Sequence, residues 1–154
     1  MTTLHEAGQA ALTTLPANRR ILGLDLGTKT IGLATADVEG QIATPRETIA
    51  RTKFTADAIL LLEFVARENI GLMVLGLPLN MDGSEGPRAQ ASRAFVRNLS
   101  KLTEIPVVYW DERLSTVAVN RVMLQADLSR AKRAENVDKL AAAYILQSFL
   151  DACA

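Results

Sequence analysis

The chain has 154 residues, 49% hydrophobic and 22% charged, the balance of one globular domain able to bury about two-thirds of its unfolded surface. Seventeen basic and seventeen acidic residues cancel, which argues mildly against a nucleic-acid binder unless the acids gather at a metal site and the bases line a face beside it. A single cysteine, Cys153, excludes a disulfide framework and a cysteine-based zinc site; no stretch approaches the roughly 20 apolar residues of a membrane span and no targeting signal is legible, so a cytoplasmic protein without a membrane partner is expected.

Residues 1–18, rich in Ala and Thr and punctuated by Pro16 and Asn18, read as an extension ahead of one domain over 19–151. Residues 21–26 form a short apolar run, Gly27-Thr28-Lys29-Thr30 supplies turn chemistry, and 31–36 read as a second strand, so the two predict a hairpin. Residues 41–49 are a weaker third strand in which Pro45 suggests an edge. Helical spacing at Ile59, Leu62, Phe64 and Ala66 predicts a helix over 55–69 with Thr55 as its N-cap. Residues 72–77 are a buried strand ended by Gly76 and Pro78. After the loop at 80–84, Ser84 is expected to cap a helix over 85–102, with Pro87 tolerated in its first turn. Residues 106–110 are the fifth strand, and helices over 115–126 and 136–151 flank a polar, basic connection at 127–135. Three strands followed by alternating helix and strand give an α/β fold, a mixed five-stranded sheet covered by helices.

Three acids stand out. Asp25 lies inside Ile21-Leu22-Gly23-Leu24-Asp25-Leu26, apolar on both faces, where a carboxylate must be paired, hydrogen-bonded or metal-bound because stranding it costs several kcal/mol. A turn aspartate bonding the amides of Gly27 and Thr28 is an equally good reading of that residue alone. Asp111-Glu112 follows an apolar strand at the end where ligands of open α/β sheets gather, although acids ahead of a helix also simply complement its dipole. Asp138 heads the stripe Ala142, Ile145, Phe149, so it should point toward the sheet; a first-turn acid behind Asn136 as N-cap is the competing account. Three carboxylates converging from separate elements would make an all-oxygen site for a hard cation, Mg²⁺ or Mn²⁺. Two such ions about 4 Å apart would activate a water and stabilise the leaving oxygen in phosphodiester cleavage. The lone histidine, His5, lies in the extension and reads as an idle surface residue.

Four blocks then carry a resemblance. Leu24-Asp25-Leu26-Gly27-Thr28-Lys29-Thr30-Ile31-Gly32, the stretch from Gly76 through Asn80-Met81-Asp82-Gly83-Ser84-Glu85, Asp111-Glu112-Arg113-Leu114-Ser115-Thr116, and Val137-Asp138-Lys139-Leu140-Ala141-Ala142-Ala143-Tyr144 are similar to the YqgF (RuvX) family, in order and over nearly all of 21–150. The resemblance implies an RNase H-like fold related to Holliday junction resolvases, with helices on both faces of the sheet. It also implies a role as the nuclease that matures the 5′ end of pre-16S rRNA, and Asp25, Glu112 and Asp138 as the catalytic and metal-binding acids. One departure from the junction resolvases is visible: their last helix brings two aspartates one turn apart, whereas here Ala141 follows Asp138.

Thr28, Lys29 and Thr30 place donors in the first turn, where a phosphate would lie, and Arg113 adjoins Glu112; Thr28, Lys29 and Arg113 are the substrate-binding candidates. Arg130, Lys132 and Arg133 adjoin Asp138 and are further candidates for phosphate neutralisation, whereas Arg93, Arg97 and Lys101 at helical spacing read as a solvated face. The expected partner is structured RNA. Branched DNA is the nearest alternative, and a homodimer would accompany it, since cutting two strands symmetrically needs two sites. A non-catalytic module on the same fold is a second class. A phosphate-binding hairpin like that of the actin and sugar-kinase superfamily is a third, for which one domain is too few.

Overall fold

Two strands buried almost end to end organise the chain: β1 (Arg20–Leu26) and β4 (Ile70–Leu77), whose runs of Ile, Leu, Met and Val leave no polar face. A computed structural model describes residues 2–37, 39, 42–114 and 130–154, with side chains of the last segment from 137 onward. With β2 (Thr30–Ala36), β3 (Thr44–Ala50) and β5 (Val107–Asp111) these strands make a five-stranded sheet in the order β3-β2-β1-β4-β5. β1-β2 and β2-β3 are antiparallel and β1-β4 and β4-β5 parallel, so the expected mixed sheet and first hairpin are present.

Alternation along the strands divides the core into two layers. Leu22, Leu24 and Leu26 of β1, with Met73 and Leu75 of β4, pack against α2 (Phe54–Arg67) and α3 (Pro87–Leu99) through Leu61, Phe64, Phe95 and Leu99. Ile21, Leu72, Val74 and Trp110 face the other way, onto α4 (Arg130–Cys153), where Ala142, Ile145, Leu146 and Phe149 are buried. Helices thus cover both faces. The first residues are not bare: α1 (Leu4–Thr14), capped by the Thr3 hydroxyl accepting from Glu6 N at 3.0 Å, packs beside β5 and α4 through Ala11 and Leu12.

Several boundaries differ from expectation, each for a local reason. β3 begins at Thr44, so Ile42, 69% exposed, lies outside it. α2 starts at Phe54 with Lys53, not Thr55, at the N-cap; the buried Asp57 carboxylate accepts from Thr52 N at 3.0 Å and serves the helix start from within. Its inward stripe is Ala58, Leu61, Phe64 and Val65, leaving Ile59 in solvent, because sheet packing selects one stripe among several apolar ones. α3 starts at Pro87 behind Gly86 rather than at Glu85, since Ser84 bonds Asp82 and Glu85 pairs with Arg93. α4 begins at Arg130, so 130–135 are helix rather than connection; Arg, Ala, Lys and Glu are all strong helix formers. The helix expected over 115–126 lies outside the described residues.

Phe149 is fully buried with its ring edge-on to Trp110 at 5.6 Å. Phe149→Ala should lower the unfolding free energy by about 3–5 kcal/mol, read from the urea midpoint.

Candidate active site

The C-terminal ends of β1, β4 and β5 lie together, and all three acids singled out above are found on the α4 side of that end. Asp25, two residues beyond Gly23 and four beyond the inward-facing Ile21, projects toward α4 and is only 1% exposed. Its partner on β2 is Gly32, and the β1-β4 register Leu24↔Leu75, continued by one residue, sets it beside Gly76. The Gly27 amide donates to Thr30 O at 2.9 Å, which closes the first turn.

The glycines on either side of Asp25 admit the other two acids. A Cβ at Gly32 would overlap the backbone carbonyl of Asp138, which is how closely α4 crosses β2 there. The Asp138 carboxylate consequently reaches the first turn: the Thr30 hydroxyl donates to Oδ2, and a Cβ on Gly27 would stand 2.9 Å from the same oxygen. On the other side, a Cβ on Gly76 would stand 3.0 Å from Cγ and Oε1 of Glu112. Glu112 therefore leans over β4 toward the strand of Asp25.

Glu112 stands between two residues that pair with each other. It opens a short 3-10 turn, Glu112–Leu114, directly after β5, and its flanking residues pair across it. Arg113 grips the buried Asp111 with Nε at 3.0 Å from Oδ1 and Nη2 at 2.7 Å from Oδ2. The third nitrogen, Nη1, donates to Met81 O at 3.1 Å and ties the loop after β4 to the end of β5. That pair raises the Arg113 pKa. The loop is closed on itself by Asn80 N to Ser84 O, 2.9 Å, and by the Ser84 hydroxyl and amide on Asp82. Those two bonds hold the Asp82 carboxyl below its ordinary pKa, so they persist above the ordinary value and are lost as pH falls through the lowered one.

The remaining candidates separate. Thr28 and Lys29 are exposed at the tip of the first turn. Arg113 has all three nitrogens in bonds within the chain, which leaves at most two of its five N–H groups for a substrate. Arg130, Lys132 and Arg133 lie on the first two turns of α4, and their side chains are outside the described residues. Arg93 pairs with Glu85 through Nε and Nη2 at 2.6 and 2.7 Å and lies over the Tyr109 ring, a structural rather than solvated role. Cys153, raised in pKa by burial, is no thiolate.

Two residues of the site have roles that the sequence did not give. Thr30 reads as a donor to phosphate in the first turn, whereas its hydroxyl holds Asp138. Arg51, the first residue after β3, holds the first turn from the other face of the sheet: its amide donates to Lys29 O at 2.9 Å and its Nη1 to Gly27 O at 2.6 Å. Nothing in a lone arginine after a strand distinguishes it from a solvated one.

The donor set of Asp25, Glu112, Asp138 and the Thr30 hydroxyl is all hard oxygen, which suits Mg²⁺ or Mn²⁺ rather than zinc. Among the described residues, however, no three Asp, Glu, His or Cys side chains stand close enough together to enclose one ion. The donor chemistry fits a divalent cation; a closed ligand shell is not preformed. Among the described residues, no helix is long and apolar enough to cross a membrane.

The family described as RuvX, Holliday junction resolvase, matches residues 19–152. A protein of Methylocella silvestris named "Putative pre-16S rRNA nuclease" is 63% identical over 133 residues, covering 86% of this chain and 83% of its own. One of Rhizobium etli with the same name is 58% identical over 151 residues, covering 98% and 91%. Among solved structures, Thermus thermophilus RuvC in complex with a Holliday junction substrate superposes with a TM-score of 0.55 at 17% identity, covering 86% of this chain and 94% of that one, which shows a shared fold. With the match spanning the whole sheet, all three acids and α4, the chain belongs to the RuvX family.

Proposed function

We propose that the protein is a metal-dependent nuclease that hydrolyses phosphodiester bonds in the cytoplasm, acting in 5′-end maturation of pre-16S rRNA. The observation that carries the reading is the seating of Asp138 on Gly32 and of Glu112 on Gly76, on either side of the buried Asp25. A carboxylate at 1% exposure at the end of an apolar strand is a position that a cation site would account for.

Asp25, Glu112 and Asp138 would hold one or two Mg²⁺ or Mn²⁺ ions. Such ions, when bound, supply an activated water and positive charge for the leaving oxygen. The chain's own contribution is positional. Thr30 orients Asp138 by donating to Oδ2, and its hydroxyl keeps that oxygen from turning to solvent. Arg113 and Asp111 brace Glu112 from both sides. Thr28 and Lys29, exposed on the turn beside Asp138, would receive a phosphate. Arg130, Lys132 and Arg133 on the first turns of α4 would add positive charge to the substrate path.

RNA is the favoured substrate because relatives at 58–63% identity carry the rRNA-processing name, whereas the junction-bound neighbour is 17% identical. Junction cutting is the second reading. Against it, the residue one turn beyond Asp138 is Ala141, itself buried at 1% exposure, so that turn offers no further carboxylate.

Cleavage of end-labelled pre-rRNA 5′ leader and of a four-way DNA junction, with Mg²⁺, Mn²⁺ or EDTA, tests the proposal. Metal-dependent cutting of the RNA is expected, with Asp25→Asn, Glu112→Gln and Asp138→Asn each at least about 100-fold slower while binding is retained. Wild type should also melt higher with added Mn²⁺, by an amount that shrinks in Asp25→Asn. Absence of both cutting and metal stabilisation would leave a non-catalytic module. Thr30→Val, which frees Asp138, should cost about 10-fold in kcat. Gly32→Ala must displace α4 and should lose cleavage together with about 1–3 kcal/mol of stability, measured by denaturant titration.

A further inference from the structure

We propose that Arg51 is a positioning residue that aims the main-chain N–H of Thr28 at the substrate phosphate, a role that rests on the nuclease reading above. The turn between β1 and β2 has its carbonyls held from one side: Nη1 of Arg51 lies 2.6 Å from Gly27 O, and its amide 2.9 Å from Lys29 O. The guanidinium is itself fixed in the α2/α3 layer. Its Nε stands 4.0 Å from Oδ2 of Asp57, a carboxylate only 2% exposed, and its carbon lies 6.0 Å from the centre of the Phe95 ring. Asp57 is anchored in turn by Thr52, whose amide donates to Oδ1 at 3.0 Å.

A trans peptide carries its N–H opposite its C=O. With the Gly27 carbonyl drawn toward Arg51 and the α2/α3 layer, the Thr28 N–H points away from that layer, toward the side where Asp138 borders Gly27. Gly27 is thus gripped by its carbonyl from one face, while on the other a Cβ would stand 2.9 Å from Oδ2 of Asp138. A main-chain donor held in that direction is the group an anionic oxygen beside the carboxylates would meet, and it carries no entropy cost of ordering a side chain. The exposed Thr28 and Lys29 side chains would then supplement a donor that the backbone provides.

The test uses the full chain in three forms, wild type, Arg51→Lys and Arg51→Ala, with a hairpin RNA as probe. Steady-state cleavage by Arg51→Ala should show KM raised about 10-fold with kcat changed less, the loss of one hydrogen bond to a charged group. Arg51→Lys keeps the charge and the fold but cannot hold the carbonyl in the same way, and should fall between. In the Asp25→Asn background, which binds without cutting, adding the RNA should move the Thr28 amide proton downfield in ¹H–¹⁵N spectra, and much less when Arg51→Lys is added. Cleavage by wild type together with unchanged KM in both variants, or an unmoved Thr28 amide, overturns the inference and leaves the nuclease reading standing. Failure of wild type to bind or cut the RNA overturns the nuclease reading itself.

Discussion

The structure depends on how closely α4 sits on the sheet. At Gly32 the helix backbone touches the strand backbone, with no room for a Cβ between Gly32 and Asp138. That approach brings the start of the helix's buried stripe to the end of the central hairpin, so the packing that buries Ala142, Ile145 and Phe149 is the same packing that delivers Asp138 to the turn. Stability and placement of the acid are therefore one constraint. A helix riding even one methyl group higher would keep most of its apolar contacts and lose the contact with Thr30.

The acids are held in place by different kinds of force. Asp25 is fixed by the strand ladder and by burial, which make its location rigid and its charge costly. Asp138 is fixed by packing and one hydroxyl. Glu112 lies against Gly76, and the residues on either side of it, Asp111 and Arg113, lock to each other. The loop closed by Asn80, Asp82 and Ser84 is joined to this last device through Met81 O. Elements that meet only in three dimensions thus share the work of orienting these carboxylates.

The two faces of the sheet have separate tasks. On the α4 side are the acids; on the α2/α3 side, Asp57, Arg51 and Phe95 form a polar and aromatic seam that reaches only the backbone of the first turn. The sheet edge lets a residue on one side act on groups on the other without crossing the core. Zero net charge over the chain is compatible with this division, because many of the bases are engaged in ion pairs, as in Arg20, Arg46 and Arg67 with Glu68. Net charge was accordingly a poor guide to a nucleic-acid partner.

The order of the five strands with α2, α3 and α4 among them, the first hairpin and the inward phase of α4 follow from the sequence alone, because apolar periodicity and turn chemistry are local properties. Asp25 was legible because a charge inside an apolar run is anomalous wherever the chain goes. Asp138 was legible because its helical phase is that of Ala142, Ile145 and Phe149. The start of α4, the stripe that α2 buries and the packing of residues 4–14 on β5 were decided by tertiary contacts, since propensity and pattern there allowed several answers. The hold of Thr30 on Asp138, the role of Arg51 and the seating of Glu112 on Gly76 lay beyond sequence reasoning. Each depends on the distance between backbones brought together from far apart in the chain, and no residue type announces that distance.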